Sequence, residues 1–183
     1  MKQTLPDNPN RRLDYSDSNL ADIWLAGGCF WGVEEAFSML PGVLETSVGY
    51  SGGTVPHPTY RQVCSGKTGH AEAVRVVYDP TVITYRHLLD RFFSIHDPTT
   101  VNRQGPNIGE QYRSAVFYHN PDQEREVRDA IRELEHSGRY RGPIVTEVSR
   151  AGSFYTAEEY HQQYFQKMRG VDVGSEPFRR AEE

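Results

Sequence analysis

Cys29 stands directly before Phe30 and Trp31 in the stretch Gly27-Gly28-Cys29-Phe30-Trp31-Gly32-Val33-Glu34-Glu35, where a helical pattern begins. A thiol at a helix N-terminus feels the partial positive charge of unsatisfied backbone N–H groups, which favours the thiolate by about 0.3 to 2 kcal/mol. On its own that effect brings a cysteine from about 8.5 towards roughly 7 or 8, enough for a nucleophile without a histidine neighbour. Two adjacent rings suggest a further step: an apolar pocket that grips a methyl-sized group and sets the neighbouring electrophilic atom on the sulfur. The competing account is plain packing, since cysteine is among the most buried residue types and rings fill cores. Helical geometry limits that account. Val33, Ala36, Phe37 and Leu40 already supply a buried stripe, and successive side chains diverge by about 100°, so at most one of the two rings can share it fully.

These residues need a scaffold, and the pattern supplies one. Ile23-Trp24-Leu25-Ala26 is a short apolar run that fits a strand buried on both faces, and it feeds the helix through Gly27-Gly28. Pro41-Gly42 stops that helix. Residues 43–50 and 71–78 read as further strands, and Tyr85, Leu88, Leu89, Phe92 and Phe93 share one helical stripe. A strand over 114–118 is followed by Asn120 as N-cap, Pro121 at the first helical position, and the stripe Val127, Ala130, Ile131 and Leu134. Residues 144–148 read as another strand, and Thr156 with Glu159 forms a capping box before Tyr160, Tyr164, Phe165 and Met168. The order suggests an α+β sandwich with helices over a mixed sheet. Two loop stretches, 62–70 and 96–111, resist regular assignment and are long enough to carry function.

A length of 183 residues suits one domain. We expect a catalytic domain over 21–168 between a polar N-terminal extension (1–20) and a polar tail (169–183). A net charge of −5 offers no basic excess for phosphates or anionic lipid, so neither nucleic acid nor membrane is an expected partner. No run reaches the roughly 20 apolar residues that span a bilayer, and no signal-peptide core is evident. Two cysteines are too few for a disulfide scaffold, which favours a reducing compartment, the cytoplasm, and a thiol that matters for its reactivity.

The motif Gly-Gly-Cys-Phe-Trp-Gly-Val-Glu-Glu resembles the signature of the A-type peptide methionine sulfoxide reductases. The stretches VGYSGG, PTYRQVCSGKTGHAEAVRVVYDP, HDPTTVNRQGPN, GEQYRSAVFY and AEEYHQQYF keep step with it in order, over roughly residues 22–168. The resemblance implies reduction of methionine S-sulfoxide, free or in proteins, on a two-layer α+β sandwich with a ferredoxin-like core, without metal or organic cofactor. It implies Cys29 as the nucleophile that attacks the sulfoxide sulfur, and Phe30 and Trp31 as walls around the substrate's methyl. It implies Glu72 as the acid that protonates the sulfoxide oxygen, with Tyr60 and Tyr112 donating hydrogen bonds there. A sulfoxide sulfur is a poor electrophile until its oxygen is protonated, so Glu72 must have a raised pKa. The product is methionine plus a sulfenic acid on Cys29, which a second thiol can reverse.

Two positions depart from the family pattern. Asn107 stands where an acidic residue usually orients the substrate's main chain; it keeps an acceptor oxygen and loses the charge. Many relatives carry resolving cysteines near the C-terminus, and none follows Met168 here. The sulfenic acid is then met by an external thiol, by Cys64, or by a disulfide between subunits, in that order of expectation. The expected cycle uses one cysteine and is closed by thioredoxin, glutaredoxin or a small thiol, in a monomer. A rival from another class is a non-enzymatic redox sensor acting through a protein partner, which needs neither a methyl pocket nor an acid opposite the thiol. A Cys-His-Asp hydrolase built from His70, His96 and Asp97 has little support from such scattered positions. His161 reads as a satisfied histidine on a packed helix, the seven histidines lack metal-ligand spacing, and the charges of 122–132 form a solvated face.

Overall fold

The computed structural model describes residues 19–170. The expected extension over 1–20 and tail over 169–183 lie outside the described residues except for their innermost two positions. Strand β1 (Ala21–Gly27) feeds helix α1 (Phe30–Ser38), and β2 (Val43–Ser51) leads through the short α2 (Tyr60–Cys64) to β3 (Ala71–Tyr78). Then come α3 (Tyr85–Ser94), a small hairpin of β4 (Arg103–Gln104) and β5 (Asn107–Ile108), β6 (Ser114–Tyr118) and α4 (Pro121–His136). Strands β7 (Glu147–Arg150) and β8 (Phe154–Thr156) and helix α5 (Tyr164–Gly170) complete the described chain.

The main sheet runs β7-β6-β1-β3-β2-β8. Only β6 and β7 are parallel; the other neighbours are antiparallel. The fold is thus α+β with a mixed sheet. Alternation along the strands sends Ile23, Leu25, Val48, Tyr50, Val74, Val76 and Val116 into one core cluster with α1, α3 and α4. The other face is thinner, with Ala26, Ala71, Ala73, Ala115 and Phe117 packed against Trp24 and Phe154. Leu88, Leu89, Phe92 and Phe93 of α3 are all but fully buried, each worth about 1.5 to 3 kcal/mol of transfer free energy. No described helix is long and apolar enough to cross a membrane.

The start of α4 matches its sequence signal: Asn120 accepts from Gln123 N–H and Pro121 follows. Its charged face is laced by exposed pairs such as Arg128–Glu124 and Arg132–Asp129. Three expectations change. The strand expected at 144–148 begins only at Glu147, because Ile144 N–H and Val145 N–H bond instead to Glu135 and to Pro98 O. The capping box expected at Thr156 does not form, since Thr156 ends β8, pairing with Gly49 of β2. The chain then makes a 3-10 turn, Glu159–His161, and α5 buries none of its residues; Tyr160, Phe165 and Met168 are exposed. A capping box occurs instead ahead of the first loop stretch: Thr59 accepts from Gln62 N–H, and Gln62 accepts from Thr59 N–H, to start α2.

Candidate active site

Cys29 is the N-cap of α1, at the junction where β1 gives way to the helix. Gly28 before it has φ +98°, and a Cβ there would stand 2.7 Å from Gln104 Cγ, so both the turn and the close passage of the β4–β5 hairpin demand glycine. Phe30 turns inward, 1% exposed, and joins the core while Trp31 stays half-buried. The divergence expected of neighbouring helical positions thus sends one ring into the core and leaves the other nearer the surface.

Glu72 lies on β3 opposite Tyr50 of β2 and faces the helices, 2% exposed. Its Oε1 accepts from Phe30 N–H at 3.2 Å, which ties the carboxyl to the first turn of α1; Oε2 has no partner among the described residues. Burial raises its pKa to about 7, against the pull of the Phe30 N–H. The raised pKa required of this carboxyl is therefore present. The thiol behaves differently from the sequence reading. Burial pushes Cys29 above its ordinary range, and the Glu72 charge adds to that, while the backbone N–H groups of Trp31 and Gly32 pull down. Desolvation outweighs the helix terminus, so the resting sulfur holds its proton.

Tyr60 opens α2, and Tyr112 closes a 3-10 turn over Glu110–Tyr112. Burial raises the Tyr112 phenol to about 12, and the charges of Glu72, Cys64 and Cys29 reach it in turn. Burial likewise raises Tyr60, whose hydroxyl shares a hydrogen bond with Cys64 and also feels Glu72 and Tyr112. Both phenols keep their protons at neutral pH and lie within reach of the Glu72 charge. Asn107 sits half-buried on β5, paired with Gln104, whose side chain covers Gly28. Cys29, Glu72, Tyr60, Tyr112, Phe30 and Trp31 are brought to one place, with Asn107 at its hairpin edge.

Sequence reasoning undervalued the segment at 158–164. His161 is fully buried, in a 3-10 turn rather than a helix, and only half satisfied: Nδ1 accepts from Trp31 Nε1 at 3.0 Å, while Nε2 has no partner among the described residues. Because indole can only donate, the neutral ring must carry its proton on Nε2. Burial lowers its pKa to about 4. The imidazole lies among Phe30, Trp31, Tyr60 and Tyr160, with ring centroids 4.0 to 5.6 Å away. Tyr164 stacks on Trp31 at 3.8 Å and 8°. Glu158 takes a hydrogen bond from Tyr50 and another from Tyr60 N–H, both 3.0 Å. The cluster of aromatics in Glu-Glu-Tyr-His-Gln-Gln-Tyr-Phe was the available signal.

The hydrolase alternative loses its parts. His70 accepts from Gly53 N–H and bonds Val55 O. His96 bonds Phe92 O and Ser114, with its pKa lowered to about 4 by burial, and Asp97 is taken by Thr99. Among the described residues no group of His, Cys, Asp or Glu could hold a metal ion.

A thiol at a helix N-cap, a buried carboxyl tied to the first turn of the same helix and two phenols within reach of its charge form an arrangement suited to a thiol-dependent oxidoreductase. Residues 21–178 match the family model described as peptide methionine sulfoxide reductase, and the chain belongs to that family. A peptide methionine sulfoxide reductase MsrA of Methanoculleus marisnigri is 58% identical over 154 residues, 84% of this chain and 94% of that protein. Mxr1 of Saccharomyces cerevisiae in its reduced form superposes with a TM-score of 0.78 at 37% identity, covering 91% of this chain and 93% of that one. The same yeast protein in complex with Trx2 gives 0.58 at 28% identity, covering 84% and 91%.

Proposed function

We propose that this reductase converts methionine S-sulfoxide, free or within proteins, to methionine through a sulfenic acid on Cys29. Phe30 and Trp31 hold the substrate's methyl, and Asn107 orients its main chain. The Cys29 sulfur bonds to the sulfoxide sulfur while Glu72 delivers its proton to the oxygen and Tyr60 and Tyr112 donate hydrogen bonds to it. The substrate S–O bond then breaks as the hydroxyl passes to the Cys29 sulfur, and the S–S bond breaks to release the sulfide. Glu72 recovers a proton from the thiol, so the sum balances: Cys–SH plus sulfoxide gives Cys–SOH plus sulfide, with two electrons passing from the cysteine sulfur to the substrate sulfur. An external thiol then forms a mixed disulfide and releases water, and a second thiol restores Cys29.

The observation that carries this reading is the Glu72 carboxyl, nearly fully buried, fixed to Phe30 N–H and with its other oxygen unpartnered among the described residues. Its pKa of about 7 keeps a large protonated fraction at neutral pH. A thioredoxin is the reductant best supported, by the Trx2 complex of the yeast relative; glutaredoxin or a small thiol serves the same step. The Cys64 sulfur is engaged by the Tyr60 hydroxyl, which favours a structural role. The central order β6-β1-β3-β2, joined through α1 and α3, supports a ferredoxin-like core in a two-layer sandwich, with 21–168 as one catalytic domain working as a cytoplasmic monomer.

A single turnover with each epimer of methionine sulfoxide, followed by mass analysis of Cys29, tests the scheme. Methionine should appear from the S epimer together with one oxygen on Cys29. Methionine from neither would favour the sensor.

A further inference from the structure

Glu34 is a second buried acid beside the thiol's helix, 2% exposed, and the proposed reaction gives it no task. It follows Trp31 by one helical turn, so both side chains leave the same side of α1. They meet the same segment. Glu34 Oε1 accepts from Gln163 N–H at 2.6 Å, while Trp31 bonds His161 on one side of that residue and stacks on Tyr164 on the other. Gln163 itself has φ +51°, a left-handed conformation that a non-glycine residue keeps only when its surroundings hold it there. Gln162 supplies an independent anchor to β2 through Val48 N–H and Val48 O, and also bonds Ala157 O just after β8, each at 2.9 Å. The sheet anchor fixes where the segment lies, and the Glu34 anchor fixes the left-handed step that turns Tyr164 onto the indole.

We propose that Glu34 is a positioning residue for the methyl pocket: by holding Gln163 N–H it sets Tyr164 and His161 against Trp31 and thereby aligns the indole wall that the substrate meets. The inference rests on the proposed role of Trp31. An acceptor oxygen is what the position requires, whether the carboxyl is ionised or not; the Thr46 hydroxyl and Lys167 lie near enough to influence its charge. Glutamine can supply that oxygen, alanine cannot, and aspartate offers it from one methylene further back.

The test compares Glu34→Ala, Glu34→Asp and Glu34→Gln by steady-state and single-turnover kinetics on methionine S-sulfoxide. Fluorescence is read in a Trp24→Phe background, where Trp31 is the remaining one of the two tryptophans. Glu34→Ala should raise KM by about tenfold, the loss of roughly one good contact, while the saturating single-turnover rate stays within about threefold. Trp31 emission should change as its stack loosens, Glu34→Asp should fall between, and Glu34→Gln should restore both readouts. A purely structural glutamate would lower the yield of active protein and leave KM alone. An unchanged KM in folded Glu34→Ala, or in Glu34→Asp should alanine fail to fold, overturns the inference, as does a KM rise in Glu34→Gln equal to that in Glu34→Ala. Wild-type protein that reduces neither epimer would instead remove the underlying scheme.

Discussion

Replacing Glu72 with Gln separates two effects of one buried carboxyl, and they have opposite signs. The folded value is raised from the ordinary 4.5 to about 7, chiefly by burial. A group raised in this way contributes its full stability below about 4.5, and that contribution is lost as the pH rises through about 7. The interval corresponds to about 3 kcal/mol, appropriate as an order of magnitude for so buried a side chain. Glutamine cannot ionise and can still accept from Phe30 N–H through its carbonyl oxygen. In urea titrations Glu72→Gln should therefore match wild type within about 1 kcal/mol near pH 5 and exceed its stability by up to about 3 kcal/mol near pH 8. Glu34, also raised to about 7 by burial, is present in both proteins and cancels in the difference. Activity should move the other way. Loss of a positioned proton donor typically costs about 10² to 10⁴ in rate, so methionine formation in a single turnover should fall by at least about 10². The wild-type rate should also decline above about pH 7 as Glu72 ionises, a limb the variant lacks. A stability gap equal at both pH values, or a single-turnover rate within a few-fold of wild type, would refute the assignment.

Tyr60→Phe and Tyr112→Phe each delete one neutral hydrogen bond to the developing hydroxyl, worth about 1 to 1.5 kcal/mol, and should slow a single turnover about five- to tenfold. Cys64→Ser should sustain multiple turnovers with an external thiol; loss of recycling with an intact first turnover would assign resolution of the sulfenic acid to Cys64. His96→Ala removes a buried ring that bonds Phe92 O and Ser114; it should cost about 2 to 4 kcal/mol in unfolding experiments and leave kcat/KM of the folded protein unchanged.

Local chemistry made some elements readable from residues alone. Asn120-Pro121 is a start signal that works within one turn of chain, and the stripe from Tyr85 to Phe93 is buried at every position it predicts. Thr156 and Glu159 carry the same kind of signal as Thr59 and Gln62, yet only the latter pair forms a capping box. The difference lies outside the motif. The exposed edge of β2 offers backbone partners that take Phe154–Thr156 into the sheet, and no sequence pattern announces an edge. The site divides in the same way. The positions of Cys29, Phe30 and Trp31 follow from helix geometry, and the resemblance supplies Glu72. The protonation of the thiol could not be foreseen, because the helix terminus is a local property whereas the desolvation that overrides it depends on everything packed around Cys29. The importance of His161 and Gln163 was hidden for a related reason: one needs Trp31 as partner and the other Glu34, each 130 or 129 residues earlier in the chain.

That separation has a consequence for how the protein acquires activity during synthesis. Cys29, Phe30 and Glu72 lie in the segment from β1 to β3, which leaves the ribosome well before α5, and β1, β2 and β3 can pair before α5 emerges. The ring wall behind Trp31 is delivered by Tyr164, near the end of the described chain. On the proposed scheme, a nascent chain would thus own its reactive sulfur long before it owns the means to select a substrate. Gln163 must still accept its left-handed turn to bring that wall home, which, given the proposed role of Trp31, makes substrate selection a later acquisition than the thiol itself.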